Sequence, residues 1–446
     1  MRLRWTLGSA VQGSRLRRFS PAVAILFALV LALAACSPTP PSLPTAVVPP
    51  VPPASPPAGG PVPLDPVVLA VLAEPPFALE PSWTLTFDRP VMAALSEAGD
   101  YVVVGRSYGS IRNSTQWGAV VYDAATGKEL WRKTHSSGYR AIEVGVLGDG
   151  PSFAVSLYTY SNSGTMWVYD AHGKLAWSRA VTSSSWLQAN PDGTRFYGVD
   201  RGRSQVFVVD PGSGRELATI SASSDAVVQL SPTGHGLVIA GQTLILLSRD
   251  GRVLARIPVP EPFQDIQFAP SGEGVYTTAS GADSGIYKFD TKGKLIWSAP
   301  VPPGGSNSLA LSPDGGYALV YNVGVEHGFI LMDAADGTPL HRIDLASVED
   351  AKGQFIRSVK WLPDGLGFLV DHAVARDANG RHTEEHSLLW FDLAGQLQGR
   401  LELSANVDVL ISADGATCVT VTTVPGEFVN SNRVRLYDLR PLLHPE

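Results

Sequence analysis

The sequence predicts an all-β fold, an eight-bladed β-propeller with four-stranded antiparallel blades, and three observations predict it. A phrase returns eight times between residue 93 and the C-terminus: a tight turn closing on glycine, an apolar strand, then a hydrophobic-Asp hairpin. Its period of roughly 40–50 residues suits four strands per unit. A spare strand at the start of the array matches a missing one at its end. Seven blades is the alternative, with the terse repeat at 225–256 folded into a neighbour.

The chain opens on a targeting segment, residues 1–35. Arg2, Arg4, Arg15, Arg17 and Arg18 form a basic region, and Ala22 to Ala35 an apolar stretch too short for a comfortable membrane span. It ends in Leu33-Ala34-Ala35-Cys36, which resembles the bacterial lipobox. That resemblance implies export and lipidation of Cys36, and so anchorage to a bacterial membrane. Ser37 stands where an Asp would favour the inner membrane, so the outer membrane facing the periplasm, or the cell surface, is expected. Residues 36–63 are rich in Pro, Ala, Ser and Val, a composition that favours polyproline II. At about 3.1 Å per residue such a linker reaches up to about 80 Å. Residues 64–82 form an apolar connector, and 83–446 the repeat domain.

Within the array, each first hairpin closes on a turn of the Ser312-Pro313-Asp314-Gly315 kind, with glycines at 99, 150, 193, 234, 272, 315, 365 and 415. Pro presets φ, Asp suits the second position and Gly accepts positive φ. The second hairpins begin at Asp123, Asp170, Asp210, Ser248, Asp290, Asp333, Asp392 and Asp438. In seven of these eight a Gly follows three or four residues later. The carboxylate caps turn amides and the Gly takes the left-handed position, so these aspartates have a structural role. Trp131, Trp177 and Trp297 each fall four residues after that Gly and can wedge between blades. The last repeat runs out after Asp438, and Trp83–Phe87 supplies a strand to complete it, which removes both sheet edges.

The phrase from Asp123 to Trp131 resembles the tryptophan-docking repeat of the pyrroloquinoline-quinone-type propellers, and Asp170 to Trp177 and Asp290 to Trp297 are shorter versions. The resemblance covers about 360 residues and implies a superfamily with both quinone-dependent dehydrogenases and non-enzymatic lipoproteins. Lipobox, linker and blade number are similar in layout to the propeller lipoprotein of the outer-membrane β-barrel assembly machinery.

Function is expected in what does not repeat. The net charge of −7 gives nucleic acid no basic face. There is no Gly-rich phosphate loop that follows a strand and opens a helix. The vicinal cysteines that hold the quinone in many such dehydrogenases are absent: besides Cys36 the chain has only Cys418, read as a small buried hydrophobe. No cofactor is expected. Loops on one face carry Tyr108, Trp117, Tyr139, Tyr158, Tyr160, Trp186 and Tyr321, candidates for recognising a protein or envelope component. The alternative is that such aromatics end core strands. Residues 371–386 read as a long polar insertion in which His382 and His386, four apart, hold a metal if the segment is helical; a solvated loop is the plain reading. The expectation is a monomeric, lipid-anchored binding scaffold, with a propeller enzyme or a ligand sensor as the alternatives.

Overall fold

The computed structural model describes residues 67–69 and, with short breaks between strands, 79–443. The targeting segment, Cys36 and the Pro-rich linker lie outside the described residues. The strands form eight sheets. Sheet I takes Val91–Leu95, Tyr101–Ser110, Asn113–Asp123 and Glu129–Ser136, called strands A to D in chain order. Sheets II to VI follow within 141–182, 185–221, 227–258, 263–300 and 306–345. Sheet VII takes Gly353–Trp361, Gly367–Ala378, Arg381–Asp392 and Leu397–Glu402. Sheet VIII takes Val407–Ile411, Thr417–Val424 and Ser431–Asp438, and its fourth strand is Trp83–Phe87, paired antiparallel from Trp83 opposite Leu436 to Phe87 opposite Asn432. The terse repeat at 225–256 makes sheet IV by itself. The apolar connector contributes Val67–Leu69, a fifth strand laid parallel on Ile343–Leu345 at the outer edge of sheet VI.

Alternating apolar residues give each sheet two buried faces, and each gap between neighbours is filled by its own apolar cluster. Phe153 and Val155 meet Val103 and Val121 between sheets I and II. Tyr197 and Val208 meet Val238 and Ile245 between III and IV. Phe329 and Leu319 meet Phe368 and Phe391 between VI and VII. Leu369 and Leu388 meet Cys418 and Tyr437 between VII and VIII. Val102 and Val120 meet Val419 and Val434 between I and VIII, so the last sheet packs back on the first. Cys418 is fully buried, and burial first, then the nearby Asp371 charge, push its thiol up, away from the reactive thiolate.

Turn chemistry follows the sequence closely. Every described glycine expected at a turn has positive φ, from Gly99 at 78° to Gly415 at 67°; Gly150 lies outside the described residues. The hairpin aspartates bind turn amides as expected: the amides of Lys174 and His172 donate to Asp170 at 2.9 Å each, and that of Ser213 to Asp210 at 2.9 Å. These bonds hold both carboxyls below the usual range, led by the Lys174 amide in Asp170 and the Ser213 hydroxyl in Asp210.

Tryptophan joins the sheets. Trp131 Nε1 donates to the Ala171 carbonyl (3.2 Å) and Trp177 Nε1 to that of Pro211 (2.7 Å), each reaching the C–D turn of the next sheet. A Cβ on Gly173 would come within 2.7 Å of the Trp131 ring, and one on Gly214 within 2.5 Å of Trp177. Trp83 does the same across the closure: its Nε1 donates to Ala124 (2.6 Å) and its ring lies against Gly127. The inner strands of V and VI are joined differently. Asp265 Oδ2 accepts from Leu309 N (2.9 Å), while Gln267 donates to Leu309 O (2.6 Å) and accepts from Leu311 N (3.1 Å). Two side chains thus replace a backbone ladder between sheets.

Candidate ligand site at sheets VII, VIII and I

The segment read as a polar insertion is strand. Residues 367–378 and 381–392 pair without interruption from Gly367 opposite Asp392 to Ala378 opposite Arg381. Strand A of sheet VII stops at Gly353 opposite Ala375, and strand D at Glu402 opposite Ser387. The tip of this hairpin therefore overhangs the sheet. Its polar residues are strand-compatible because they alternate with Ala373, Ala375 and Leu388 on a buried face, and because opposite charges pair: Arg376 Nε lies 2.9 Å from Glu385. The helical spacing behind a His382–His386 metal pair is absent. Four positions along a strand separate Cα atoms by about 13 Å, too far for both imidazoles to share an ion at that spacing. Among the described residues no group of three or more His, Cys, Asp or Glu is placed to hold a metal.

What the hairpin does bring together is Asp371 and His386. Asp371 follows Leu369 on the face turned to sheet VIII, and His386 lies one cross-strand position further along. Both are buried, at 4% and 5% exposure. His386 Nδ1 lies 3.0 Å from Asp371 Oδ1, and Nε2 is 3.6 Å from Glu384 Oε2, which also takes the Arg357 guanidinium. Arg357 in turn sits over the Phe355 ring, 5.3 Å from its centre. These groups line a cleft of about 550 Å³ with Ser358, Asp408 and the apolar Met92, Val407, Val409, Leu410 and Val421. The strands that supply them belong to sheets VII, VIII and I. Thr422, opposite Val407 in register, buries a hydroxyl without a hydrogen-bond partner.

Both imidazole nitrogens face carboxylates, Nδ1 that of Asp371 and Nε2 that of Glu384. Among the described residues no serine, threonine or cysteine donates to it, the step that would make a nucleophile and base. The cleft presents carboxylates beside aliphatic walls, a surface for recognition. The sequence pairs His386 with His382; the strand register sets it beside Asp371. The signal available was the alternation through Ala373, Ala375, His386 and Leu388, which marks a strand face.

The aromatic candidates are dispersed. Tyr321 is a core residue between sheets VI and VII: burial pushes its phenol up to about 12, and it bonds Ser308 and the Val359 backbone. Its recognition role is corrected accordingly, because a strand-end tyrosine faces the neighbouring sheet here. Trp117 is half-buried against the core of I and II. Tyr108, Tyr158 and Trp186 lie on strands opposite Gln116, Ala141 and Val199 respectively. Tyr139 and Tyr160, with the side chain of His382, lie outside what is described. Neither Trp117 nor Tyr321, whose side chains are described, lines the cleft.

Residues 116–265, about a third of the chain, match the family model of PQQ-like repeats described as outer membrane protein assembly factor BamB. Together with the fold, that match supports a PQQ-like propeller protein. No curated protein matches the chain. Among solved structures, dihydro-heme d1 dehydrogenase NirN in complex with DHE shares the fold at a TM-score of 0.52 and 14% identity, over 80% of this chain and 72% of that one. A eukaryotic initiation factor aligns at a TM-score of 0.45 and 14% identity, over 71% of this chain and 90% of that one.

Proposed function

We propose that this chain is an exported lipoprotein whose eight sheets are the blades of one closed ring, and that the ring works as a non-catalytic scaffold holding a protein partner in the cell envelope. The match to the assembly-factor family model carries the reading. It is supported by the structural use of the repeated Asp, Gly and Trp residues, which leaves the uneven hairpins for recognition. Sheet VII has the longest B–C hairpin, 12 residues on each strand, and sheet I comes next with 10 and 11. The sheet VII hairpin lines the cleft through Asp371, Glu384 and His386, and long hairpins on a rigid ring are where specificity is placed.

Anchorage through Cys36 belongs to the same proposal and rests on the lipobox alone. Palmitate labelling of whole cells is expected to depend on Cys36, and labelling that survives Cys36→Ala removes the anchor. Crosslinking in cells followed by purification of the full chain is expected to recover a protein partner. Recovery must fall when residues 376–385, the overhanging hairpin tip, are replaced by a short turn. The second reading, a propeller enzyme, draws on the Asp371–His386 pair in the cleft. A stoichiometric metal, or a bound chromophore in the absorption spectrum of the purified protein, would favour it over the scaffold.

A further inference from the structure

We propose that the cleft between sheets VII, VIII and I is a socket for the side chain of one arginine or lysine presented by the protein partner. This rests on the scaffold reading and names the chemistry of its contact. Three carboxylates line the cleft, Asp371, Glu384 and Asp408, against one guanidinium, Arg357. Arg357 is committed to Glu384. Asp408 is exposed and has no ion-pair partner among the described residues.

Asp371 offers an open acceptor to the cleft. It is 4% exposed, and its Oδ1 is engaged by His386. Its Oδ2 has no hydrogen-bond partner among the described residues. That oxygen is not sealed from solvent: it opens on the cleft, where a donor on an entering side chain can reach it. The apolar lining fits the rest of such a side chain. Met92, 47% exposed, and Val407, Val409 and Leu410 offer aliphatic walls for a three- or four-carbon stem. Arg357 shows the arrangement already at work, with its head on Glu384 and its guanidinium over Phe355. The commitment to a protein side chain follows from the overhanging hairpin beside the cleft, which offers backbone and charged groups to a larger body than the cleft admits.

The test uses butylguanidine, with butanol as its uncharged counterpart, titrated calorimetrically into the purified full chain. Saturable binding of butylguanidine at about 10 mM or below, without binding of butanol, is expected. Asp371→Asn must weaken it by about tenfold or more. Because Asp371 is buried and that variant can lose its fold, the exposed Asp408→Lys is the parallel variant, with its fold checked by circular dichroism, and it must weaken binding too. Saturating butylguanidine must also release the captured partner. No binding to the unmodified chain, equal binding of butanol, or binding indifferent to Asp408→Lys overturns the socket. Binding without partner release overturns the assignment to a partner's side chain and leaves a free small cation. Partner capture that persists while butylguanidine fails to bind leaves the scaffold standing and removes only the socket.

Discussion

Ring closure by the strand Trp83–Phe87 makes a prediction with a built-in control. Gly127 has φ +66°, and a Cβ placed there would lie 2.9 Å from Cγ of Trp83. Gly127→Ala therefore carries two penalties. The left-handed backbone costs about 1–2 kcal/mol for any residue with a Cβ. Displacing the indole costs about another 1–3 kcal/mol, as overpacking does elsewhere. Trp83→Ala costs about 2–4 kcal/mol, less than a fully buried tryptophan because the ring is half-buried, and includes the bond to Ala124. In the double variant the backbone penalty persists but the clash has no partner. The two changes together are thus expected to cost about 1–3 kcal/mol less than their sum. The assay is equilibrium urea unfolding of the four proteins followed by far-ultraviolet circular dichroism, which loses no signal when tryptophan is removed. Additivity within about 0.5 kcal/mol would refute the docking of Trp83 on Gly127, and with it the closing strand. The same cycle on Trp177 and Gly214 provides the internal comparison, since that pair joins sheets consecutive in sequence.

Three further outcomes are expected. Burial pushes the phenols of Tyr169, Tyr197 and Tyr321 up to about 12 from an ordinary value of 10.0. Each neutral phenol therefore contributes stability that is complete below about pH 10 and is lost as pH rises toward 12. A thermal midpoint that holds between pH 10 and 12 would contradict this. His135, bonded to Tyr169 (2.7 Å) and stacked on Trp167 at 4.0 Å, is held below its ordinary 6.5 by burial. Its contribution is complete above about pH 6.5 and falls as pH drops through its lowered value; proton NMR must show it titrating below the ordinary 6.5. Asp265→Ala and Gln267→Ala each strip partners from the inner strand of sheet VI, and each is expected to cost about 1–3 kcal/mol in urea unfolding. An effect below about 0.5 kcal/mol from both would show that this side-chain ladder contributes nothing.

Much of the fold was legible because its signals are local. A Ser-Pro-Asp-Gly turn dictates its own backbone, and Asp170 caps its own turn amides, so neither needs distant residues to be read. Trp177 was legible as a wedge but its carbonyl partner on Pro211 was not, since that contact joins different repeats. The site was the least legible part. Asp371 and His386 are 15 positions apart and meet only through the register of one hairpin. His372, the neighbour of Asp371, faces the other way and bonds Gln354 at 3.0 Å. A one-residue difference thus decides which imidazole reaches the cleft, and composition carries no trace of it. Tyr321 illustrates the converse: its loop-end position suggests a binding aromatic, while the adjoining sheet makes it core.

In a chain anchored through Cys36, as proposed above, the short parallel strand Val67–Leu69 would take load first. It lies along the outer edge of sheet VI, upstream of the strand that completes sheet VIII. Tension applied from the N-terminal side reaches this three-residue ladder before it reaches Trp83. Pulled along its length, the ladder resists in shear; pulled outward, it opens one bond at a time. Either way the three-residue ladder is expected to yield before the five-residue pairing of Trp83–Phe87. In the tethered chain proposed above, the strand would act as a mechanical fuse ahead of sheet VIII.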